Sequence, residues 1–138
     1  MDENWPAEVE VVVEVPRGGF VKRRTNGAIA FVSPLPCPFN YGSVPGSHAA
    51  DGDPADAVVL GPRLERGHHG TWPVRAVVRF TDAGRIDDKL VCGPPLRQRD
   101  CMVLKAFFSV YALAKRTAGR LAGETRPTLF GGLVFLSG

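Results

Sequence analysis

The sequence predicts a mainly β fold, a small barrel or curled sheet with one helix packed on it near the C-terminal end. Three observations carry this expectation. Apolar, partly alternating stretches recur along most of the chain. Twelve prolines and 16 glycines supply the turns between them. Only one segment repeats its apolar residues at helical spacing, and it comes late. The length of 138 residues suits a single domain, residues 1–138, with one core.

The elements follow in order. In "EVEVVVEV" (8–15), Val9, Val11, Val13 and Val15 share one face of a strand, and Glu8, Glu10, Val12 and Glu14 the other. Pro16 to Gly19 reads as a turn, "FVKRR" opens a second short strand and "GAIAFV" (27–32) a third. Residues 33–50 carry four prolines and are expected to form an ordered loop with short strands at best. "DAVVLG" (56–61) reads as a buried strand. "WPVRAVVRF" (72–80) and "DKLVCG" (88–93) flank a hairpin that bends at Ala83-Gly84. Val103, Leu104, Phe107, Phe108, Tyr111 and Ala114 recur at spacings of three and four. They predict a helix with Asp100 as N-cap and Gly119 as stop. The tail "TLFGGLVFLSG" is expected to be a last strand or a subunit contact.

Composition narrows the function. The net charge of +3 is too small to argue for nucleic acid but suits an anionic small molecule. No apolar run reaches the length of a membrane span, and the acidic N-terminus is unlike a signal peptide. Cys37, Cys92 and Cys101 have no metal-site spacing and read as reduced thiols of a cytoplasmic protein.

The chemistry concentrates in acidic residues. "HAADGDPADAVVLG" (48–61) holds Asp51, Asp53 and Asp56. In extended chain Asp51 and Asp53 point the same way, and the breaks at Gly52 and Pro54 let Asp56 join them. Converging carboxylates favour a hard divalent cation, Mg²⁺ or Mn²⁺, against the plainer reading of a solvated acidic turn. Asp82 and Asp87 flank the hairpin bend, and Lys89 can share the face of Asp87. Carboxylates for metal, with Lys or Arg nearby, are what a site for phosphate oxygens requires. His68 and His69, in "RGHHG", read as an exposed turn rather than as ligands.

At these residues the chain resembles the family I soluble inorganic pyrophosphatases. "DGDPADAVVL" is similar to that family's aspartate signature, "VEVPRGGFVK" to its opening segment and "TDAGRIDDKLV" to its second acidic segment. "FNYG" keeps the family spacing to the aspartates, and "FFSVY" resembles the late helix that carries a phosphate-binding tyrosine. The resemblance spans about residues 8–115. It implies an OB-like five-stranded barrel with a C-terminal helix packed on it. It also implies Mg²⁺-dependent hydrolysis of pyrophosphate to two phosphates, and a homo-oligomer, hexameric in bacterial relatives. Carried over by position, Asp51, Asp56 and Asp87 would hold the tight metal, and Asp82 with Asp87 the metals that arrive with substrate. Asp53 would be the general base and Glu14 would polarise metal-bound water. Lys22, Tyr41, Lys89 and Tyr111 would hold phosphate oxygens.

The departures are as specific as the matches. Arg24 stands where the family has a glutamate, and residues 27–40 contain no arginine or lysine. Ala112 follows Tyr111 where the family has a lysine, so a lysine introduced at 112 is expected to raise kcat/KM for pyrophosphate. Arg24 or Arg23 could reach the phosphate instead, and Lys115, one helical turn after Tyr111, could replace the missing lysine. The plainer reading of Lys115 and Arg116 is favourable placement in the helix dipole. Two other functions stay open. One is a hydrolase of an organic pyrophosphate, and the other a non-catalytic homologue that binds metal or phosphate.

Overall fold

The computed structural model describes residues 5–19, 21–23, 29–32, 35–47 and 54–136, with 21–23 and 29–32 described as backbone. Among the described residues, nine strands and one helix run in the order β1 (Glu8–Val15), β2 (Val21–Arg23), β3 (Ile29–Val32), β4 (Asn40–Ser43), β5 (Asp56–Val59), β6 (His69–Asp82), β7 (Arg85–Ile86), β8 (Lys89–Cys92), α1 (Gln98–Leu121) and β9 (Leu129–Phe135). Five of the strands close on themselves. β1 pairs β4, β4 pairs β5, β5 pairs β8, β8 pairs β6, and β6 returns to β1. The result is the expected OB-like five-stranded barrel with a C-terminal helix packed on it. β5 and β8 run parallel, and every other pairing in the ring is antiparallel.

Closure follows from lengths and alternation. The 14-residue β6 is long enough to pair β1 through its first half and β8 and β9 through its second. Alternation then separates two cores. Ala57, Val59, Val77, Leu90 and Cys92 join Val9 and Val11 in one cluster. Val58, Ala76, Val78 and Val91 face the other way and meet Leu104, Phe107, Phe108 and Tyr111 of α1. The helix is fixed there by aromatic rings. Phe39 stacks on Phe108 at 5.8 Å between centroids, and Phe80 meets Tyr111 edge-on at 5.5 Å.

Two close fits shape the frame. Gly42 lies opposite Val13, and a Cβ added to it would stand 2.1 Å from the carbonyl oxygen of Val12, so only glycine lets β4 approach β1. At the hairpin bend, Ala83 (φ 50°) and Gly84 (φ 80°) are both left-handed, the conformation a two-residue turn between twisted strands requires.

The helix departs from its sequence-based boundaries. Arg97 is the N-cap, and Asp100 is three positions inside, where Oδ2 accepts the Arg97 N–H at 2.9 Å. The helix also runs past Gly119 to Leu121. Its buried face takes Ala112 rather than Val103, which is exposed. The tail forms β9 on the outside of β6. Among the described residues no helix is long and apolar enough to cross a membrane.

Candidate active site

The same alternation brings the acidic residues to the helix side of the sheet. Asp56 opens β5 two residues before Val58, Lys89 opens β8 two before Val91, and Asp82 ends β6 two after Phe80. The register then lines them up. Ser43 of β4 stands opposite Asp56 of β5, and Asp56 stands beside Lys89 of β8. Lys89 in turn faces Val78 of β6. Strand ends are where a chain can leave the sheet and still have its side chains fixed by it, so charge collects here at little cost to the core.

Lys89 is the hub. Its side chain is 1% exposed, and Nζ lies 3.0 Å from Asp56 Oδ2 and 2.8 Å from Asp87 Oδ2, with the Phe80 ring below it at 5.2 Å. Burial pulls the ammonium toward neutrality, but Asp56 and Asp87 outweigh it and hold the pKa above the ordinary lysine value. Lys89 therefore stays charged. Burial raises the Asp87 carboxyl above its usual range, and Lys89 offsets only part of this. The Tyr41 hydroxyl donates to Asp56 Oδ2 at 2.9 Å. Burial, reinforced by Asp56, pushes the Tyr41 phenol well up, so it keeps its proton and remains a donor. Ser43 Oγ donates to Glu14 Oε2 at 3.2 Å, next along the row.

Asp82 and Asp87 line an open cleft of about 240 Å³, with Ala83, Arg85 and Arg126 completing its wall. Lys115 comes down from α1 and places Nζ 2.5 Å from Asp82 Oδ2 and 5.5 Å from the centre of the Tyr111 ring. Tyr111 is buried in the aromatic cluster. Asn40, buried just before Tyr41, locks the strand that carries that tyrosine. Its Oδ1 accepts from Arg17 N and Leu64 N, and its Nδ2 donates to Val59 O and Pro62 O.

The structure thus brings together Asp56, Asp82, Asp87, Lys89, Tyr41 and Tyr111, with Glu14 alongside. Asp51, Asp53 and Arg24 lie outside the described residues, as does the Lys22 side chain. Among the described residues, no group of three or more His, Cys, Asp and Glu side chains forms a metal cage. The donors that are described nevertheless suit a hard divalent cation. They are carboxylate oxygens, and those of Asp56 and Asp87 already converge on one positive centre, the Lys89 ammonium. His69 instead meets Glu10 on an exposed edge, away from these residues. Asp88, overlooked in the sequence, turns from the site and accepts from Phe80 N and Arg79. Nothing in its spacing distinguishes it from Asp87; the pleat sends the two to opposite sides.

Comparison with known proteins agrees with this geometry. Residues 11–107 match the family model described as inorganic pyrophosphatase. The inorganic pyrophosphatase of Gluconobacter oxydans is 35% identical over 101 residues, 67% of this chain and 58% of that protein. That of Xanthomonas campestris is 34% identical over 102 residues, 67% of this chain and 57% of that protein. The chain thus matches little more than half the length of these relatives. Among solved structures, the inorganic pyrophosphatase of Thermus thermophilus aligns with a TM-score of 0.74 at 25% identity, covering 97% of this chain and 86% of that one. An inorganic phosphatase of Anaplasma phagocytophilum aligns with a TM-score of 0.73 at 25% identity, covering 97% and 88%.

Proposed function

Because this chain belongs to the inorganic pyrophosphatase family, we propose that it hydrolyses inorganic pyrophosphate to two phosphates with the help of Mg²⁺. The observation that carries the reading is the convergence of Asp56 and Asp87, from separate segments, on the buried Lys89 beside an open acidic cleft. A structural ion pair has no need of further polar groups, yet Tyr41 bonds Asp56 and Asp82 lines the same cleft as Asp87.

In this reading Asp51, Asp56 and Asp87 hold the tighter divalent ion, and Asp82 with Asp87 those that accompany the substrate. Bound there, the metal supplies a water acidic enough to react near neutral pH and offsets the charge of the anion. The chain's own residues do the rest. Asp53 takes the proton at a carboxylate oxygen, and Glu14 orients water at the edge of the row. Tyr41 and Lys89 fix the direction of the Asp56 carboxylate by the bonds they make to it. With Tyr111, Lys22 and Arg24 they supply donors to the phosphate oxygens. Mn²⁺ suits the same oxygen ligands. The chain acts as one domain in the cytoplasm, where its free thiols stay reduced. It assembles as a homo-oligomer, a hexamer by family resemblance.

Phosphate release from pyrophosphate, tripolyphosphate and nucleotides, each with and without Mg²⁺, tests the proposal. Release from pyrophosphate that requires the metal is expected, and Asp56→Asn should abolish it while weakening Mg²⁺ binding in calorimetry. Preference for a nucleotide or another organic pyrophosphate would move the assignment to a different hydrolase. Mg²⁺ binding with no release from any substrate would leave a non-catalytic homologue.

A further inference from the structure

Lys115 is placed by the fold for a duty that helix electrostatics does not explain. The helix ends at Leu121, so Lys115 lies outside the last turn, where the dipole acts and where Arg120 already sits. Its direction is set by packing. Leu104, Phe108, Tyr111 and Lys115 follow one another at spacings of four, three and four on the face that meets the sheet, and the ammonium continues that face to the end of β6. There it meets Asp82, 33 residues away, on the wall of the cleft. The next position after Tyr111 is Ala112, 3% exposed and without a polar group. The two site lysines whose side chains are described also differ. Lys89 is 1% exposed and clamped by two carboxylates, whereas the Lys115 side chain is 23% exposed and its partner Asp82 30%.

We infer that Lys115 is a positioning cation that exchanges partners: it neutralises Asp82 in the metal-free protein and turns to a phosphate oxygen of the substrate when a divalent cation takes Asp82. The inference rests on the proposed pyrophosphate reaction. The exchange keeps both charged side chains paired. A carboxylate passes from ammonium to metal, and the released ammonium meets the incoming anion. It also makes Lys115 a competitor for one metal position and a ligand for substrate, two effects of opposite sign.

Those opposite signs make the test. Calorimetry with Mg²⁺ alone, and then with methylenebisphosphonate in the presence of Mg²⁺, is run on the wild type, Lys115→Ala, Lys115→Gln and Lys115→Arg. Lys115→Gln keeps much of the stem over Tyr111 and guards against loss of packing. Both Lys115→Ala and Lys115→Gln are expected to bind Mg²⁺ about 3–10-fold more tightly, the scale of a part-exposed ion pair removed as competitor. Both should bind the bisphosphonate about 10–100-fold more weakly, the worth of one charge-assisted hydrogen bond. Lys115→Arg should stay near the wild type in both. In an Asp82→Asn background the effect of Lys115→Ala on Mg²⁺ should vanish. Unchanged or weaker Mg²⁺ binding by the alanine and glutamine variants, or unchanged bisphosphonate binding, overturns the inference. If the wild type releases no phosphate from pyrophosphate while the two opposed shifts still appear, the reaction assignment fails and the exchange stands.

Discussion

Gly42 separates Tyr41 from Ser43, and each of these neighbours bonds a carboxylate of the site, so one small residue couples the barrel to its chemistry. A methyl group here would meet backbone, the Val12 carbonyl at 2.1 Å, and backbone cannot rotate out of the way. Gly42→Ala should therefore lose about 1–3 kcal/mol of stability in urea denaturation, the usual cost of overpacking a core. It should lower activity as well, because relief of the clash displaces Tyr41 from Asp56. The proton acceptor calls for a different measurement. Asp53→Asn keeps an oxygen that can bind but loses the basic one, so turnover should fall about 10²–10⁴-fold with Mg²⁺ affinity little changed. Near-normal turnover at neutral pH would show that Asp53 only shapes its turn. Most of the described site was legible at this scale, because Asp56, Asp82, Asp87 and Lys89 are charged residues at the ends of apolar runs, and such residues have few structural uses. Asn40 was not, since an asparagine in a Pro-rich loop reads as a turn residue, and only the fold reveals that its four hydrogen bonds join three segments.

The elements were legible where their signal is local. β1 and β5 show their alternation or their apolar run directly, and the Ala83-Gly84 bend announces its hairpin. Closure of the barrel was not, because the pairing of β1 with β6 joins residues some 60 positions apart and nothing in either strand names the other. The helix shows a subtler loss. Val103 satisfies the apolar spacing as well as Leu104 does, and Ala112 is too small to register, so the buried face is read about one position off. That correction reverses an expectation. A lysine at 112 would enter the layer between α1 and the sheet that holds Leu104 and Phe108. Ala112→Lys is therefore expected to destabilise the protein by about 1–3 kcal/mol or more and to lower kcat/KM rather than raise it. Thermal unfolding alongside pyrophosphate kinetics checks this. A tenfold gain in kcat/KM without loss of Tm would mean that the side chain escapes along Tyr111 to the cleft, and that Lys115 leaves a real vacancy there.

At the scale of the whole molecule, the two cores can be read by their thiols. Cys37 lies in the cluster under the helix and Cys92 in the cluster on the opposite face of the sheet. Burial pushes the Cys37 thiol from its ordinary 9.0 up to about 11, against a weaker opposing bond from the Phe39 backbone, and the Cys92 thiol up to about 12. The sign follows from linkage. Both pKa values are raised on folding, so the folded chain keeps protons that the unfolded chain releases. The stability this represents is intact below about pH 9 and is lost as the pH rises from 9 toward 11 for Cys37 and toward 12 for Cys92. Each thiol contributes a slope of at most about 1.4 kcal/mol per pH unit in that window. Tyr41, whose phenol burial also raises, adds to the loss above its ordinary 10.0. Urea midpoints measured from pH 7 to 11 should therefore be flat at first and fall steeply beyond 9, and Cys92→Ala, although less stable at pH 7, should show the shallower fall. Thiol labelling supplies an independent check. Cys101, partly exposed on α1, should react first at neutral pH, with Cys37 and Cys92 following only at the rate of unfolding. If Cys37 labels well ahead of Cys92, the helix opens from the barrel as a separate unit, and the lysine it carries to Asp82 moves with it.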